Sequence, residues 1–203
     1  IEMAADADGR WSARLSGAGE GARYGFRADG PFAPDEGLWF DPDKLLVDPY
    51  AVEIDRPYRY DARLADPRGQ GRDTAALVPK AIVRALPAAV EPPAPLYRSG
   101  GLIYELQVRA FSMLHPEVPE AQRGTVAALA HPSVIDHLKK IGVSAVELMP
   151  VTAWIDERHL GPLGLHNAWG YNPVTFMALD PRLAPGGIGE LRAAVAALRA
   201  AGI

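Results

Sequence analysis

The chain has 203 residues and a formal net charge of -4, with 48% hydrophobic residues, 23% charged residues and no cysteine. This composition is typical of a globular protein with its own core, and it excludes disulfide bonds, cysteine nucleophiles and zinc–thiolate sites. A net acidic chain offers no basic field to phosphate groups, so a nucleic acid partner is not expected. No apolar run approaches the roughly 20 residues of a membrane-spanning helix, so no membrane partner is expected either.

The first sixty residues are predicted to form short β-strands and turns. Residues 23–27 alternate aromatic and charged side chains, which is typical of a half-buried strand. Prolines interrupt this region every few residues and exclude long helices from it. The early aromatic residues Trp11, Tyr24 and Phe26 are expected to pack in a core, with a sugar-binding platform as the alternative. A proline-rich stretch from Pro87 to Pro95 is expected to be an extended linker.

Beyond this linker the pattern changes to strand, helix, strand. Apolar strands are predicted at 102–108 and 143–151, separated by a helix that Ser133 would cap and Gly142 would end. Within the helix, Val134, Ile135, Leu138 and Ile141 are expected on one apolar face. This order is typical of parallel βαβ units.

A long irregular stretch, residues 152–187, follows the second strand, and an alanine-rich helix is predicted at 191–201. Connections after strands in such units usually have only two to six residues, roughly. In a (β/α)₈ barrel the loops after the strands build the active face. We therefore expect functional residues in this stretch, which is called the long loop below.

The long loop carries a cluster of aromatic, acidic and imidazole side chains: Trp154, Asp156, Glu157, His159, His166, Trp169 and Tyr171. Acidic and imidazole groups together suit a metal ion, although their spacing matches no compact ligand motif. Aromatic rings beside polar groups suit a sugar, because the rings cover C–H faces and the polar groups meet hydroxyls. The aromatic residues are equally compatible with packing of the loop itself, so the residues alone leave three interpretations open.

Other candidate groups have a structural interpretation beside the functional one. Glu105 and Glu147 lie inside the predicted strands and resemble paired glycosidase carboxylates. We favour acids neutralised by a basic neighbour, for which Arg109 and Lys140 are available. The glycine-rich segment 186–189 opens a helix where phosphate can bind, but it lacks the lysine of a P-loop, so a plain turn is expected.

Several segments together resemble bacterial glycogen debranching enzymes and isoamylases of the α-amylase superfamily. These segments lie at 24–32 (YGFRADGPF), 40–51 (FDPDKLLVDPYA), 103–109 (IYELQVR), 131–143 (HPSVIDHLKKIGV), 145–151 (AVELMPV), 156–160 (DERHL) and 169–173 (WGYNP). The resemblance implies a mixed β and α/β fold. Residues 1–95 would form a partial β-sandwich of the carbohydrate-binding type plus linker, and residues 96–203 the first βαβα units of an α-amylase-type (β/α)₈ TIM barrel.

The same resemblance implies a cytoplasmic glycoside hydrolase that cleaves α-1,6 branch linkages in glycogen or limit dextrin. The implied mechanism is retaining, with an aspartate nucleophile and a glutamate acid/base, and needs neither cofactor nor metal. Tyr171 matches the tyrosine that stacks under the sugar beside the cleaved bond. Trp169 and Asn172 flank it as further substrate-binding residues, whereas Glu105 and Arg109 match positions with a structural role.

The resemblance further implies that the catalytic carboxylates lie beyond Ile203. No catalytic residue is then expected within the chain, and these residues alone would be inactive. Two alternatives remain open. One is a non-catalytic carbohydrate-binding or scaffold module. The other is a branching or trehalose-forming relative, although segments 44–51 and 156–160 favour debranching.

Overall fold

A computed structural model of the chain describes residues 1–86, 88 and 91–203, so Pro87 of the expected linker lies outside the described residues. The strands are β1 (Ala4–Ala5), β2 (Trp11–Ser12), β3 (Arg23–Tyr24), β4 (Phe32–Ala33), β5 (Leu38–Trp39), β6 (Ala81–Ile82), β7 (Leu102–Leu106) and β8 (Val143–Leu148). The α-helices are α1 (Val108–Ser112), α2 (Pro132–Lys140) and α3 (Ile188–Ala200). Short 3₁₀ helices lie at Pro34–Glu36, Ala62–Ala65, Glu120–Gln122, Val126–Ala130 and Gly161–Leu163.

The first six strands form three antiparallel pairs: β1 with β2, β3 with β6, and β4 with β5. Each strand has only two residues, in keeping with a region rich in proline and glycine. The strand predicted at 23–27 is present as β3, with an isolated antiparallel bridge between Phe26 and Leu46. The interruption falls at Gly25, where an added Cβ would lie 3.0 Å from the Leu45 side chain.

The core prediction for the early aromatic residues is wrong for Trp11. Its side chain is 66% exposed, because all four residues of the β1–β2 pair are exposed and nothing covers them. Tyr24 and Phe26 are partly buried, and their rings meet edge to face with centroids 5.6 Å apart. Of the three, only the latter two take part in packing.

Strands β7 and β8 are parallel, with Leu102 opposite Val143 and Leu106 opposite Leu148, as the strand–helix–strand pattern predicts. Helix α2 precedes β8 and forms the crossover together with α1 and the 3₁₀ turns. The described residues therefore combine strands and helices, and they contain no closed barrel, since this sheet has two strands. No helix among these residues is both long enough and apolar enough to cross a bilayer.

Two helix boundaries differ from the sequence prediction for local reasons. Strand β7 stops at Leu106, before its predicted end at residue 108, because the side chain of Gln107 accepts a hydrogen bond from the Ala110 amide and caps α1, which begins at Val108. Helix α2 is capped by His131, whose Nδ1 accepts the Ser133 amide at 3.3 Å, so the prediction of Ser133 as the cap is wrong. Pro132 lacks an amide proton and suits the first helical position, so α2 starts earlier in the chain than predicted.

The main hydrophobic core lies between one face of the β7–β8 sheet and the helices. Helix α2 contributes Val134 and Leu138, both fully buried, whereas Ile141 at the end of the predicted apolar face is 41% exposed. Gly142 follows with φ of +80° and ends the helix, as predicted. Helix α3 starts at Ile188, one turn before its predicted start, and packs against the 3₁₀ turn of residues 126–130.

A second, smaller core joins the N-terminal region to the long loop. Its buried members come from both parts of the chain: Ala51, Ile54, Ala81, Ala153 and Ala178. Backbone and side-chain hydrogen bonds reinforce this contact. The Thr175 hydroxyl donates to the Ala51 carbonyl at 3.2 Å, and the Phe176 amide donates to the Pro49 carbonyl at 3.2 Å. The long loop therefore packs against the N-terminal region, in which Ala51, Ile54 and Ala81 form its contact.

Candidate functional site

The long loop folds back on itself into a short ladder above the ends of β7 and β8. Antiparallel bridges join Thr152 to Leu179 and Trp154 to Pro173. The Ala153 amide donates to the Ala178 carbonyl at 2.9 Å, within the second core. This ladder gives an irregular sequence a defined backbone, which is what a preorganised binding surface requires.

Trp154 forms the buried base of the loop. The ring is 5% exposed, and its Nε1 donates to the Asn167 carbonyl at 2.9 Å. The guanidinium of Arg182 lies 3.9 Å from the ring centroid, a cation–π contact. Arg182 also binds the fully buried Asp180 carboxylate through Nε at 2.8 Å and Nη2 at 2.7 Å. Trp154 therefore takes the packing role among the three interpretations of the cluster.

The acidic side chains of the cluster form hydrogen bonds with other residues of the loop. Asp156 is buried, accepts the Asn167 amide at 2.8 Å and lies 3.0 Å from His166 Nδ1. Glu157 accepts Asn167 Nδ2 at 2.9 Å. His159 is exposed and lies outside this network. Among the described residues no three His, Asp or Glu side chains gather as a metal site requires.

Trp169 and Tyr171 are presented to solvent on either side of a buried glycine. Their side chains are 67% and 60% exposed, although each has a large apolar ring. Gly170 between them has φ of +81°, and an added Cβ there would lie 3.0 Å from the Pro150 carbonyl oxygen. The backbone is thus tightly held while both rings remain available, and we call Trp169 and Tyr171 the aromatic platform.

The platform is fastened to the carboxyl ends of the parallel strands. Gln107, directly after β7, donates from Nε2 to the Ala168 carbonyl at 2.7 Å. The Met149 amide, directly after β8, donates to the Leu106 carbonyl at 2.9 Å. In parallel α/β sheets ligands bind outside the carboxyl ends of the strands, so the platform occupies the expected position for a site. Asn172 is half-buried and uses its carbonyl to accept the Ile155 amide at 3.1 Å.

Glu105 and Glu147 stand opposite each other in the register of β7 and β8, and both are exposed. The expectation that Arg109 or Lys140 neutralises them is wrong within the described part of the chain, where neither acid has an ion-pair partner. Side chains alternate between the two faces of a strand. Arg109 and Lys140 belong to helices on the core side of the sheet, whereas these acids project from the opposite face.

Comparison with known proteins shows what the chain is similar to. No family model matches the chain. A glycogen debranching enzyme from Klebsiella pneumoniae (strain 342) is 41% identical over 210 residues, covering 100% of this chain and 32% of that protein. The chain is therefore similar over its whole length to part of bacterial glycogen debranching enzymes. It spans about a third of their length.

Solved structures with a similar fold are pullulanases. A pullulanase from Anoxybacillus sp. LM18-11 superimposes with a TM-score of 0.51 and 26% identity, over 79% of this chain and 22% of that one. A type I pullulanase from Bacillus subtilis str. 168, complexed with maltose, gives a TM-score of 0.51 and 23% identity, over 81% of this chain and 23% of that one. The shared part of the fold includes most of the chain.

Two residues of the site are not predicted from the sequence. Asn167 forms hydrogen bonds with both Glu157 and Trp169 of the cluster. Gln107 binds the Ala168 carbonyl, although the two residues are 61 positions apart in the sequence. The signal for Asn167 is an asparagine two residues before Trp169 and Gly170, since Asn commonly bonds the backbone two residues on. Gln107 offers no comparable local signal.

Proposed function

We propose that this chain is part of a glycogen-debranching hydrolase that cleaves α-1,6-glucosidic branch linkages in glycogen or limit dextrin. One observation carries the proposal: a chain similar to debranching enzymes presents two exposed aromatic rings, Trp169 and Tyr171, on a backbone held by hydrogen bonds to the Asn167 side chain. Glucose units offer C–H faces to such rings and hydroxyls to polar neighbours. A branched α-glucan is the substrate class that fits, and the type I pullulanase of similar fold is complexed with maltose.

The proposed architecture is a partial β-sandwich at residues 1–95 and the start of a (β/α)₈ barrel at residues 96–203. The short antiparallel strand pairs of the first part support the sandwich. The parallel β7–β8 unit, with its crossover helix, supports the barrel. On this assignment the long loop is the second strand-to-helix loop, on the face where barrel enzymes bind substrate.

Within the platform, we assign Tyr171 to stack under the sugar beside the cleaved bond. Trp169 and Asn172 are assigned to further substrate contacts. The exposure of both rings supports this assignment, as does the half-buried position of Asn172 next to them. Trp154 has no such role, since Arg182 and the loop backbone cover it.

We place the catalytic carboxylates of a retaining mechanism outside these 203 residues. Such a mechanism needs two acids on either side of the scissile bond. Asp156 and Glu157 already accept hydrogen bonds within the loop. Glu105 and Glu147 lie within the strands rather than in the loops after them, where barrel enzymes build the active face. The reaction needs no cofactor, and a cytoplasmic location follows from glycogen as substrate.

The test is release of reducing ends from phosphorylase limit dextrin by the protein expressed from its complete gene. Tyr171→Ala is expected to lower kcat/KM roughly tenfold, because one aromatic contact contributes about 0.5–1.5 kcal/mol beyond its buried area. Tyr97→Ala is the matched control, because Tyr97 lies before the opposite end of β7 and is 41% exposed. Binding of limit dextrin without release of reducing ends would instead favour a non-catalytic carbohydrate-binding module.

A further inference from the structure

We propose that Asn167 is a positioning residue that sets the place of the aromatic platform against the glucan. The inference rests on the proposed function, because it concerns the same site. Asn167 lies near the centre of the long loop and is a member of neither core, although its carbonyl accepts a hydrogen bond from Trp154 of the main core. Its side chain binds only groups of the loop itself, so it can be replaced while the backbone contact with the core remains.

The main chain of Asn167 is fixed from both sides by the base of the loop. Its amide donates to Asp156 Oδ1 at 2.8 Å, and its carbonyl accepts Trp154 Nε1 at 2.9 Å. Both partners are buried. The Cα of Asn167 is thus anchored, so its side chain projects from a defined point.

The side chain of Asn167 uses both of its polar atoms. Oδ1 accepts the amides of Trp169 and Gly170, each at 2.9 Å, and Nδ2 donates to Glu157 Oε1 at 2.9 Å. The two accepted amides belong to the platform backbone itself. The donated bond holds the carboxamide in the orientation that accepts them. Asn167 thereby couples the acidic side of the loop to the platform.

This position calls for asparagine in particular. It needs an acceptor with two lone pairs and a donor on the same short side chain. Aspartate retains the acceptor but puts a second carboxylate 2.9 Å from that of Glu157, where a donor stood. Alanine leaves the amides of Trp169 and Gly170 without partners, and Gly170 is buried. Glutamine is longer by one methylene and carries the carboxamide past the two amides.

A reversal of polarity tests the hydrogen bond directly. Asn167→Asp breaks it, whereas Asn167→Asp combined with Glu157→Gln restores it with the new amide donating to the new carboxylate. Glu157→Gln alone keeps an oxygen that accepts from Asn167. Gln70→Glu is the control for added charge, since Gln70 is exposed and its side chain makes no hydrogen bond among the described residues. All variants are made in the protein expressed from its complete gene.

The readouts are kcat and KM on limit dextrin and the near-ultraviolet circular dichroism of the tryptophans. We expect Asn167→Asp to lower kcat/KM by about tenfold or more, because a misplacement near 1 Å can cost about 100-fold. The double variant is expected to recover most of the loss, which a purely additive pair would not do. Gln70→Glu is expected to match the parent.

The outcomes separate this inference from the proposed function. If Tyr171→Ala lowers kcat/KM while Asn167→Asp does not, the positioning role is wrong and the platform stands. If the double variant is no better than Asn167→Asp, the hydrogen bond to Glu157 is not the means of positioning. If neither Tyr171→Ala nor Asn167→Asp has an effect, the site assignment itself fails. If Asn167→Asp does not fold, the activity of the double variant decides alone. Activity near that of the parent supports the positioning role, and loss of activity refutes it.

Discussion

Replacing Gly170 by alanine tests whether the aromatic platform depends on a tightly held backbone. Gly170 has φ of +81°, and its added methyl would meet the Pro150 carbonyl oxygen at 3.0 Å, Pro150 Cβ at 3.2 Å and the Trp154 ring at 3.5 Å. The Pro150 carbonyl oxygen belongs to the backbone, so it can shift only slightly to relieve this contact. The substitution therefore combines an unfavourable left-handed conformation with a steric contact.

The two contributions are separable with Gly164, another glycine of the same loop. Gly164 has φ of +66° and nothing within 4 Å of an added Cβ. Gly164→Ala is expected to cost only the left-handed conformation, about 1–2 kcal/mol. Gly170→Ala adds crowding of a packed site, about 1–3 kcal/mol more. The difference between the two variants measures the contact beneath the platform.

Differential scanning calorimetry and binding of maltotriose, followed by tryptophan fluorescence, provide the assay. The crowding should lower the Tm of Gly170→Ala by at least about 2 °C beyond that of Gly164→Ala, since Tm moves about 2–4 °C per kcal/mol at this size. If the loop instead relieves the contact by moving, glucan binding weakens and Tm changes less. Equal Tm values together with parental binding in both variants would refute the reasoning.

Two further predictions concern charge. Arg182→Ala leaves the fully buried Asp180 without its partner and uncovers Trp154, so we expect a loss of about 3 kcal/mol in the free energy of unfolding, measured by denaturant titration. Burial, followed by a 2.7 Å hydrogen bond to Asp48, raises the pKa of Tyr24 from 10.0 to about 12. Because the folded state holds this proton more tightly, its stabilising effect is complete below pH 10 and is lost as the pH rises through about 12. Tyrosinate absorbance should show Tyr24 ionising late, and Asp48→Asn should lower its pKa, whereas burial alone raises the pKa of Tyr58, which this substitution should leave unchanged.

The parallel strand pair is predictable because it depends on local composition. Short apolar runs at 102–106 and 143–148, with an amphipathic helix between them, indicate a βαβ unit without further information. The boundaries escape because single side chains decide them. Gln107 caps α1 and Pro132 moves the start of α2, and both effects outweigh the average preference of the neighbouring residues.

The platform is predictable in part, and the network beneath it is not. Trp169 and Tyr171 lie in a short motif whose resemblance to a known family is visible in the sequence. The partners of Asn167 lie up to 13 positions away along the chain, and their contacts exist only once the ladder has formed. Trp154 and Trp169 are both tryptophans of the long loop, yet Trp154 is buried under Arg182 and Trp169 is exposed. Only the folded backbone distinguishes them.

The second core has a consequence for exchanging modules between related enzymes. A chimaera joined at the proline-rich stretch would take Ala51 and Ile54 from one parent and Ala153 and Ala178 from the other. Such small side chains leave little tolerance, since one added methyl group on either side has nowhere to go. Compatible parents should therefore match at these alanines, and the Thr175 hydroxyl with them. A mismatched chimaera would fold each half and still misplace the long loop, so any ligand contact of the aromatic platform would change without a substitution in the loop itself.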